Sequence, residues 1–332
     1  MIYKLKDMEG AKILITGGLG FTGSNLAHKL VSLNADVVIL DACLDPYGWN
    51  MANLDGIEKK VKLVKGDVRD MDILKQHVKD KDFIFDCAAQ VSHLLSNKNP
   101  LLDLDINCRG ALNILESARQ SNSDAALVYA STRGVVGRPV YTPIDEKHPT
   151  NPPDIYSVHK LAAERYYLLY NKLHGIKASV LRLTNYFGER CNVRREDYNL
   201  VNWWIRQALM GEQIVLHGDG SIVRDYCYVQ DIADSLIVAA QNDKSIGEVF
   251  MVGSGKGIAI KDIVNMVLKT VDSSMKINFI PQPKERKMIE VGNVTVSHKK
   301  IKEALGWYPK TSLEQGIKNT VEFYKSNIKK YA

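Results

Sequence analysis

Lys12–Leu30 reads KILITGGLGFTGSNLAHKL. The apolar run Ile13-Leu14-Ile15 ends at Thr16, then Gly17, Gly20 and Gly23 follow, and an amphipathic stretch begins at Asn25. This is the pattern of a buried strand, a tight turn and the start of a helix. Glycine admits positive φ and lets backbone approach a ligand closely. A helix opening at such a turn directs free N–H groups and a partial positive charge at whatever sits on it, which suits a pyrophosphate. An ordinary glycine-rich strand-to-helix turn would carry the same glycines. The next apolar run, Val37–Leu40, ends in Asp41, 18 residues beyond Gly23. An acid there accepts hydrogen bonds from the adenosine ribose and repels a 2′-phosphate. A dinucleotide site is therefore expected, built from Gly17, Gly20, Phe21, Thr22, Gly23 and Asp41, with NAD preferred over NADP.

The chain has 332 residues, enough for one large domain or two that share a core. At 45% hydrophobic and 25% charged it has the composition of a globular protein. It contains no run of about 18 apolar residues, so no membrane span is expected. The N-terminal MIYKLKDMEGAK lacks an apolar signal core, which predicts a cytoplasmic protein. A net charge of +6 is modest, and no basic run is interleaved with aromatics as in nucleic-acid binders. Five scattered cysteines and eight histidines show no paired or metal-ligand spacing, so neither disulfides nor a metal are expected.

The first half alternates apolar runs with helical periodicity. Strands are predicted at Lys12–Thr16, Asp36–Asp41, Val61–Lys65, Phe83–Ala88, Ala126–Ala130 and Ala178–Thr184, and long helices at Leu101–Ala118 and Tyr156–Leu173. Such alternation calls for a doubly wound parallel α/β sheet of the Rossmann type. Past Gly188, short strands mix with shorter helices. Residues 1–188 are thus read as the dinucleotide-binding part. Residues 189–332 are read as a smaller, mostly helical part over the carboxyl ends of the strands, where ligands bind in open α/β sheets, with some segments returning to the Rossmann part.

Asp67 after the third strand is either an adenine-binding acid, with the Val68 amide beside it, or a turn aspartate capping the helix at Met71–Val78. The small residues of Cys87-Ala88-Ala89-Gln90 let a flat cofactor lie on backbone, or simply pack strand on helix. Asn107, among apolar neighbours, either touches the cofactor or holds nearby backbone, since a buried amide needs partners. The strand Leu127–Ala130 ends in Ser131-Thr132, and further on stands Tyr156-Ser157-Val158-His159-Lys160. Tyr156 and Lys160 share a helix face. A nearby ammonium and a positive nicotinamide ring favour the phenolate, which can take a proton from a sugar hydroxyl while hydride leaves the same carbon. Thr132 can hydrogen-bond that hydroxyl.

With these residues in view the chain resembles an extended short-chain dehydrogenase/reductase of the NAD-dependent nucleotide-sugar epimerase/dehydratase family. The resemblance spans Lys12 to about Tyr324. It rests on TGGLGFTG (Thr16–Gly23), GDVRD (Gly66–Asp70), CAAQ (Cys87–Gln90), STRGVVG (Ser131–Gly137), YSVHK (Tyr156–Lys160), RLTNYFG (Arg182–Gly188), HGDGSIVRDYCYVQDIA (His217–Ala233) and LGWYPKTSLEQGI (Leu305–Ile317). It implies that Asp67 and Val68 flank the adenine, that Ala88, Ala89 and Gln90 lie along the cofactor, and that Ser131, Tyr156, Lys160 and Asn107 belong to the same site. It further implies that Asn185, Arg224 and Arg286 hold the diphosphate of a nucleotide sugar and that Leu216 and His217 line its base. On the residues alone, Arg224 can instead pair with Asp225 or Asp231, and His217 can be a surface histidine. The helices Leu101–Ala118 and Tyr156–Leu173 build a four-helix interface in relatives, so a homodimer is expected.

Dehydratases of the family carry acids just after the threonine; here Arg133 and Gly134 stand there. UDP-glucuronate decarboxylases carry a glutamate in this region, and GDP-fucose synthase-like enzymes need a cysteine that is not near Thr132. What remains is epimerisation by transient oxidation, as in the 4-epimerases of UDP-sugars or the CDP-paratose/tyvelose 2-epimerases. Two positions depart from the relatives, which mostly have Tyr at 136 and a small residue or Asn at 133. Val136 only relaxes packing on this reading. Arg133 either binds an acidic or phosphorylated sugar or points outward. Arg190, Arg194 and Arg195 form either a basic cluster bordering the substrate or a solvated loop.

Overall fold

The computed structural model describes residue 3 and residues 5–332, except for the side chains of Glu285, Arg286 and Ile289. Its strands are β1 (Lys12–Thr16), β2 (Asp36–Asp41), β3 (Val61–Lys65), β4 (Phe83–Asp86), β5 (Ala126–Thr132), β6 (Lys177–Leu183), β7 (Asn185–Phe187), β8 (Val215–His217), β9 (Val223–Tyr228), β10 (Val249–Val252), β11 (Gly257–Ala259) and β12 (Asn278–Ile280). Its α-helices are α1 (Phe21–Ser32), α2 (Met71–Val78), α3 (His93–Lys98), α4 (Pro100–Leu104), α5 (Gly110–Ser121), α6 (Ile155–His174), α7 (Leu200–Met210), α8 (Val229–Ala240), α9 (Ile260–Val271), α10 (Lys284–Ile289), α11 (Lys299–Leu305) and α12 (Leu313–Tyr331).

Seven strands form one parallel sheet in the order β10-β6-β5-β4-β1-β2-β3. Successive side chains of a strand point to opposite faces, and the apolar runs serve both. Ile13, Ile15, Val37 and Ile39 pack under α1 and α8 with Trp307, while Leu14, Val38 and Leu40 pack under α2, α5 and α6. This is the doubly wound Rossmann architecture. The strand order reverses between β1 and β4, so the crevice for a ligand opens at their carboxyl ends.

The C-terminal part is mostly helical, with short strands among its helices, and some of its segments return to the Rossmann part. β7, β9 and β11 form a three-stranded sheet, and β8 pairs with β12. β10 joins the large sheet beside β6, and α8 packs on α1. β10 and α8 are thus segments beyond residue 188 that return to the Rossmann part. Short buried strands such as VFMV at Val249–Val252 are too brief for a two-residue or 3.6-residue period to register.

The helix expected at Leu101–Ala118 is really α4 and α5 joined by one π turn, Asp105–Arg109, which carries Asn107. Val136 is buried against Val291, Val294 and Val296, consistent with a packing role at that position. No described helix is long and apolar enough to cross a membrane.

Candidate active site

A cleft of about 550 Å³ runs along the carboxyl edge of the sheet. Gly17 lies at its floor with φ +69°, and a Cβ there would stand 2.8 Å from the Ala88 Cα. Gly23 is needed for packing: its Cβ would meet the Gly17 carbonyl oxygen at 2.3 Å. No side chain caps the first turn of α1, so its amides face the turn without a side-chain acceptor. Gly20, Phe21 and Thr22 line the cleft. Phe21 stacks on Tyr186 at 5.2 Å, and the Thr22 and Tyr186 hydroxyls are 2.6 Å apart. The uncapped helix start, the glycine floor and the small residues Ala88 and Ala89 opposite it make a cradle that fits a pyrophosphate.

Asp41 closes one end of this cradle. Its carboxylate accepts the Leu19 and Cys43 amides at 2.9 Å each. Burial raises its pKa, against the pull of those amides. Asp67 does not cap α2; Asp70 does, through the Asp72 and Ile73 amides. Asp67 is gripped by Arg69, with Nε at 2.9 Å, and lines the cleft with Val68. Burial works against its ionisation, but the Arg69 hydrogen bonds and charge hold its carboxyl below the ordinary range.

Gln90 and Asn107 lie behind the wall, outside the lining. Asn107 accepts the Gln90 amide at 3.0 Å and donates to the Gln90 carbonyl at 2.9 Å and to Asp103 at 3.0 Å. Gln90 itself donates to Asp103 at 2.7 Å. Of the two readings of Asn107, this geometry is that of holding the backbone after β4.

At the end of β5, Thr132 accepts the Gly134 amide at 3.0 Å, which leaves its own proton to give. Tyr156 lines the cleft with it, and Thr132 acts to lower the phenol's pKa. Ser131 also lines the cleft, but its hydroxyl donates backward to Glu164 at 3.3 Å. The Lys160 ammonium sits 4.1 Å over the Tyr129 ring. Burial pushes Lys160 down to about 8, against the attraction of Asp86. Asp86 is buried under the cleft and accepts Thr16 at 3.0 Å and Tyr167 at 2.9 Å.

The expected lowering of the Tyr156 pKa is not a property of the protein by itself. Burial first, then Tyr186, Asp154 and Asp103, raise the phenol well above its ordinary value, with the Thr132 hydrogen bond pulling the other way. Tyr156 and Lys160 both line the cleft, but desolvation decides the direction in which the phenol shifts.

Sequence reasoning missed a second pair in the cleft. His93 Nδ1 lies 2.6 Å from Asp154, and its ring meets the Tyr156 ring edge-on at 4.8 Å. Asp154 also caps α6 through the Ser157 amide at 2.8 Å. Burial opposes its ionisation, but the hydrogen bond and charge of His93 hold its pKa below the ordinary value. The capping aspartate is legible two residues before Tyr156; nothing local marks His93 as its partner.

The other half of the cleft is lined by Arg133, Asn185, Leu216, His217, Arg224, Tyr226 and Glu290. Asn185 and Arg224 lie on the paired strands β7 and β9. Asn185 makes no side-chain hydrogen bond among the described residues, and the buried His217 Nδ1 has no partner. Arg224 pairs with neither Asp225 nor Asp231. It forms an ion pair with Glu290 and donates to the Val223 carbonyl at 3.0 Å. Asp225 instead takes the Ser254, Gly255 and Val296 amides, and Asp231 those of Lys310 and Thr311. The Arg286 side chain lies outside the described residues. The three loop arginines do not form a cluster: Arg195 pairs with Asp197 at 2.9 Å, Arg190 turns to Asn25 at 3.1 Å, and Arg194 is exposed.

Residues 13–253 match the family model for the NAD dependent epimerase/dehydratase family. The chain is 36% identical over 317 residues to a putative UDP-glucose 4-epimerase of Methanocaldococcus jannaschii, covering 95% of this chain and 99% of the relative. It is similar to a Thermotoga maritima UDP-glucose 4-epimerase solved with UDP-glucose, with TM-score 0.88 and 28% identity over 96% of this chain and 99% of the other. It is also similar to a Thermus thermophilus UDP-glucose 4-epimerase solved with NAD, with TM-score 0.84 and 28% identity over 95% and 99% of the two chains.

Proposed function

This chain belongs to the NAD-dependent epimerase/dehydratase family, and we propose that within it the chain is a nucleotide-sugar epimerase acting at C4. The observation that carries the reading is that Thr132, Tyr156 and Lys160 line one cleft, with Arg133 and Gly134 following the threonine in place of the carboxylates that dehydration requires. Bound NAD supplies a hydride acceptor and donor at the sugar carbon. Gly17, Gly20, Phe21, Thr22, Asp41, Asp67, Val68, Ala88 and Ala89 hold it; Gly23, Gln90 and Asn107 support that wall from behind. The Tyr156 phenolate takes the hydroxyl proton and, as the phenol, returns it, a role worth about 10²–10⁴-fold in such reactions. Thr132 orients the hydroxyl, and the Lys160 charge favours the phenolate. Asn185 and Arg224, with Arg286, hold the diphosphate, since a fixed guanidinium fork matches its oxygens. Leu216 and His217 face the base.

The protein purified without added cofactor is expected to release close to one NAD per chain on denaturation. It is also expected to convert one member of a panel of UDP-, CDP-, GDP- and dTDP-sugars to an isomer inverted at C4, read by NMR, with no NAD supplied. Turnover only on added NAD(P)(H), with none retained, would replace the epimerase by a dehydrogenase or reductase. Inversion at C2 would overturn the C4 assignment.

The same reading includes a cytoplasmic homodimer. Val158, Leu169 and Leu173 are exposed along one stripe of α6, and Leu101 and Leu104 are exposed on α4. Apolar side chains at helical spacing are the face that a second copy would cover. Sedimentation at micromolar concentration is expected to give twice the chain's 37.2 kDa; a monomer would overturn the homodimer.

A further inference from the structure

Arg133 is a cation that the chain does not answer. It follows Thr132 directly, opens the short 3-10 turn Arg133–Val136 and lines the cleft beside Arg224, Tyr226 and Glu290. It is half-buried, and among the described residues its guanidinium makes no hydrogen bond or ion pair. Glu290, whose charge acts on it, is engaged by Arg224 and by the Gly292 amide at 2.9 Å. The other acidic side chains of the cleft have partners as well: Asp41 has the Leu19 and Cys43 amides, Asp67 has Arg69, Asp154 has His93, Asp197 has Arg195, and Glu196 is not free. Burial, and then the neighbouring charge of Arg224, push Arg133 down to about 10.

A guanidinium taken partly out of water and set near another one raises the energy of the empty protein unless an anion meets it. An outward loop arginine would not be placed this way. We propose that the sugar of the substrate carries an anionic group, a carboxylate, which Arg133 receives through its planar fork. This rests on the nucleotide-sugar reading above. Placement favours the sugar over the diphosphate. Arg133 adjoins Thr132, which with Tyr156 marks the reacting hydroxyl, whereas Arg224 and Asn185 stand on the separate β7–β9 pair. A sugar phosphate offers the same charge, and the test separates the two.

Calorimetry on the NAD-loaded full chain first ranks UDP, CDP, GDP and dTDP. The glucose, glucuronate and glucose 6-phosphate forms of the best base are then compared in the wild type, Arg133→Gln and Arg133→Lys. The wild type is expected to bind the glucuronate form about 10- to 100-fold more tightly than the glucose form, the range for hydrogen bonds to a charged group. Arg133→Gln is expected to abolish that preference while moving the affinity for the bare diphosphate much less, and Arg133→Lys to restore part of it. Tighter binding of the 6-phosphate than of the glucuronate would overturn the carboxylate. Preference for the neutral sugar would overturn the proposal, as would an equal loss by Arg133→Gln on the diphosphate and all three sugars, which would make Arg133 a phosphate clamp. Binding of none of the four diphosphates would overturn the nucleotide-sugar reading, and this inference with it.

Discussion

Tyr156→Phe is expected to lower kcat about 10²–10⁴-fold, the range for loss of a positioned proton acceptor, with substrate affinity little changed. The phenol lies beside His93, and burial raises its pKa above that of a free tyrosine. Forming the phenolate therefore depends on positive charge held close to it. In the proposed mechanism Lys160 provides that charge, and only while protonated; burial has lowered its pKa to about 8. The sign follows. As pH rises toward 8 the phenol ionises more readily, and above about 8 the ammonium that favours this is lost. Lys160→Met is expected to remove the upper limb of the kcat profile and to leave a much slower enzyme that needs higher pH. Steady-state kinetics from pH 6 to 10 on both variants, with the fold checked by circular dichroism, tests this. Wild-type turnover by Tyr156→Phe would exclude the phenol as proton acceptor.

The second large effect concerns stability. Glu164→Ala is expected to destabilise the protein by about 3–5 kcal/mol, because it leaves a buried charge without its counter-ion. Glu164 on α6 is fully buried, and Arg182 on β6 is 3% exposed. Arg182 Nε donates to Glu164 at 2.9 Å, and the same carboxylate accepts Ser131 at 3.3 Å. The pair thus ties α6, which carries Tyr156 and Lys160, to the strands that carry Thr132. Replacing both partners, Glu164→Leu with Arg182→Met, is expected to recover most of the loss, since two apolar groups leave no charge unpaired. Urea unfolding of the three proteins measures it. A cost below about 1 kcal/mol for Glu164→Ala would show that water or a rearranged donor compensates Arg182.

Much of the fold was legible in the chain because it follows from local rules. β1, β2 and β3 fall on the residues that the apolar patterns mark. The glycine turn reads correctly because positive φ at Gly17 and the close approach at Gly23 are demands on backbone, which residue type alone can meet. Tyr156 and Lys160 share a face because four residues on a helix always do.

What the sequence by itself determined, then, was the order of strands and helices, the turn at Gly17 and the candidates Thr132, Tyr156 and Lys160. Only the tertiary structure decided how those groups are charged and which partners they keep. Arg224 meets Glu290, 66 residues away, rather than the adjacent Asp225, because β9 turns one side chain to the cleft and the next to the loop at Ser254–Gly255. His93 meets Asp154 across 61 residues, Asn107 serves the Gln90 backbone, and β10 leaves the C-terminal part to complete the large sheet. The physical reason is common to all of them. Hydrogen bonds and desolvation depend on which segments are packed together in space, and spacing along the chain carries that information only within a turn or two.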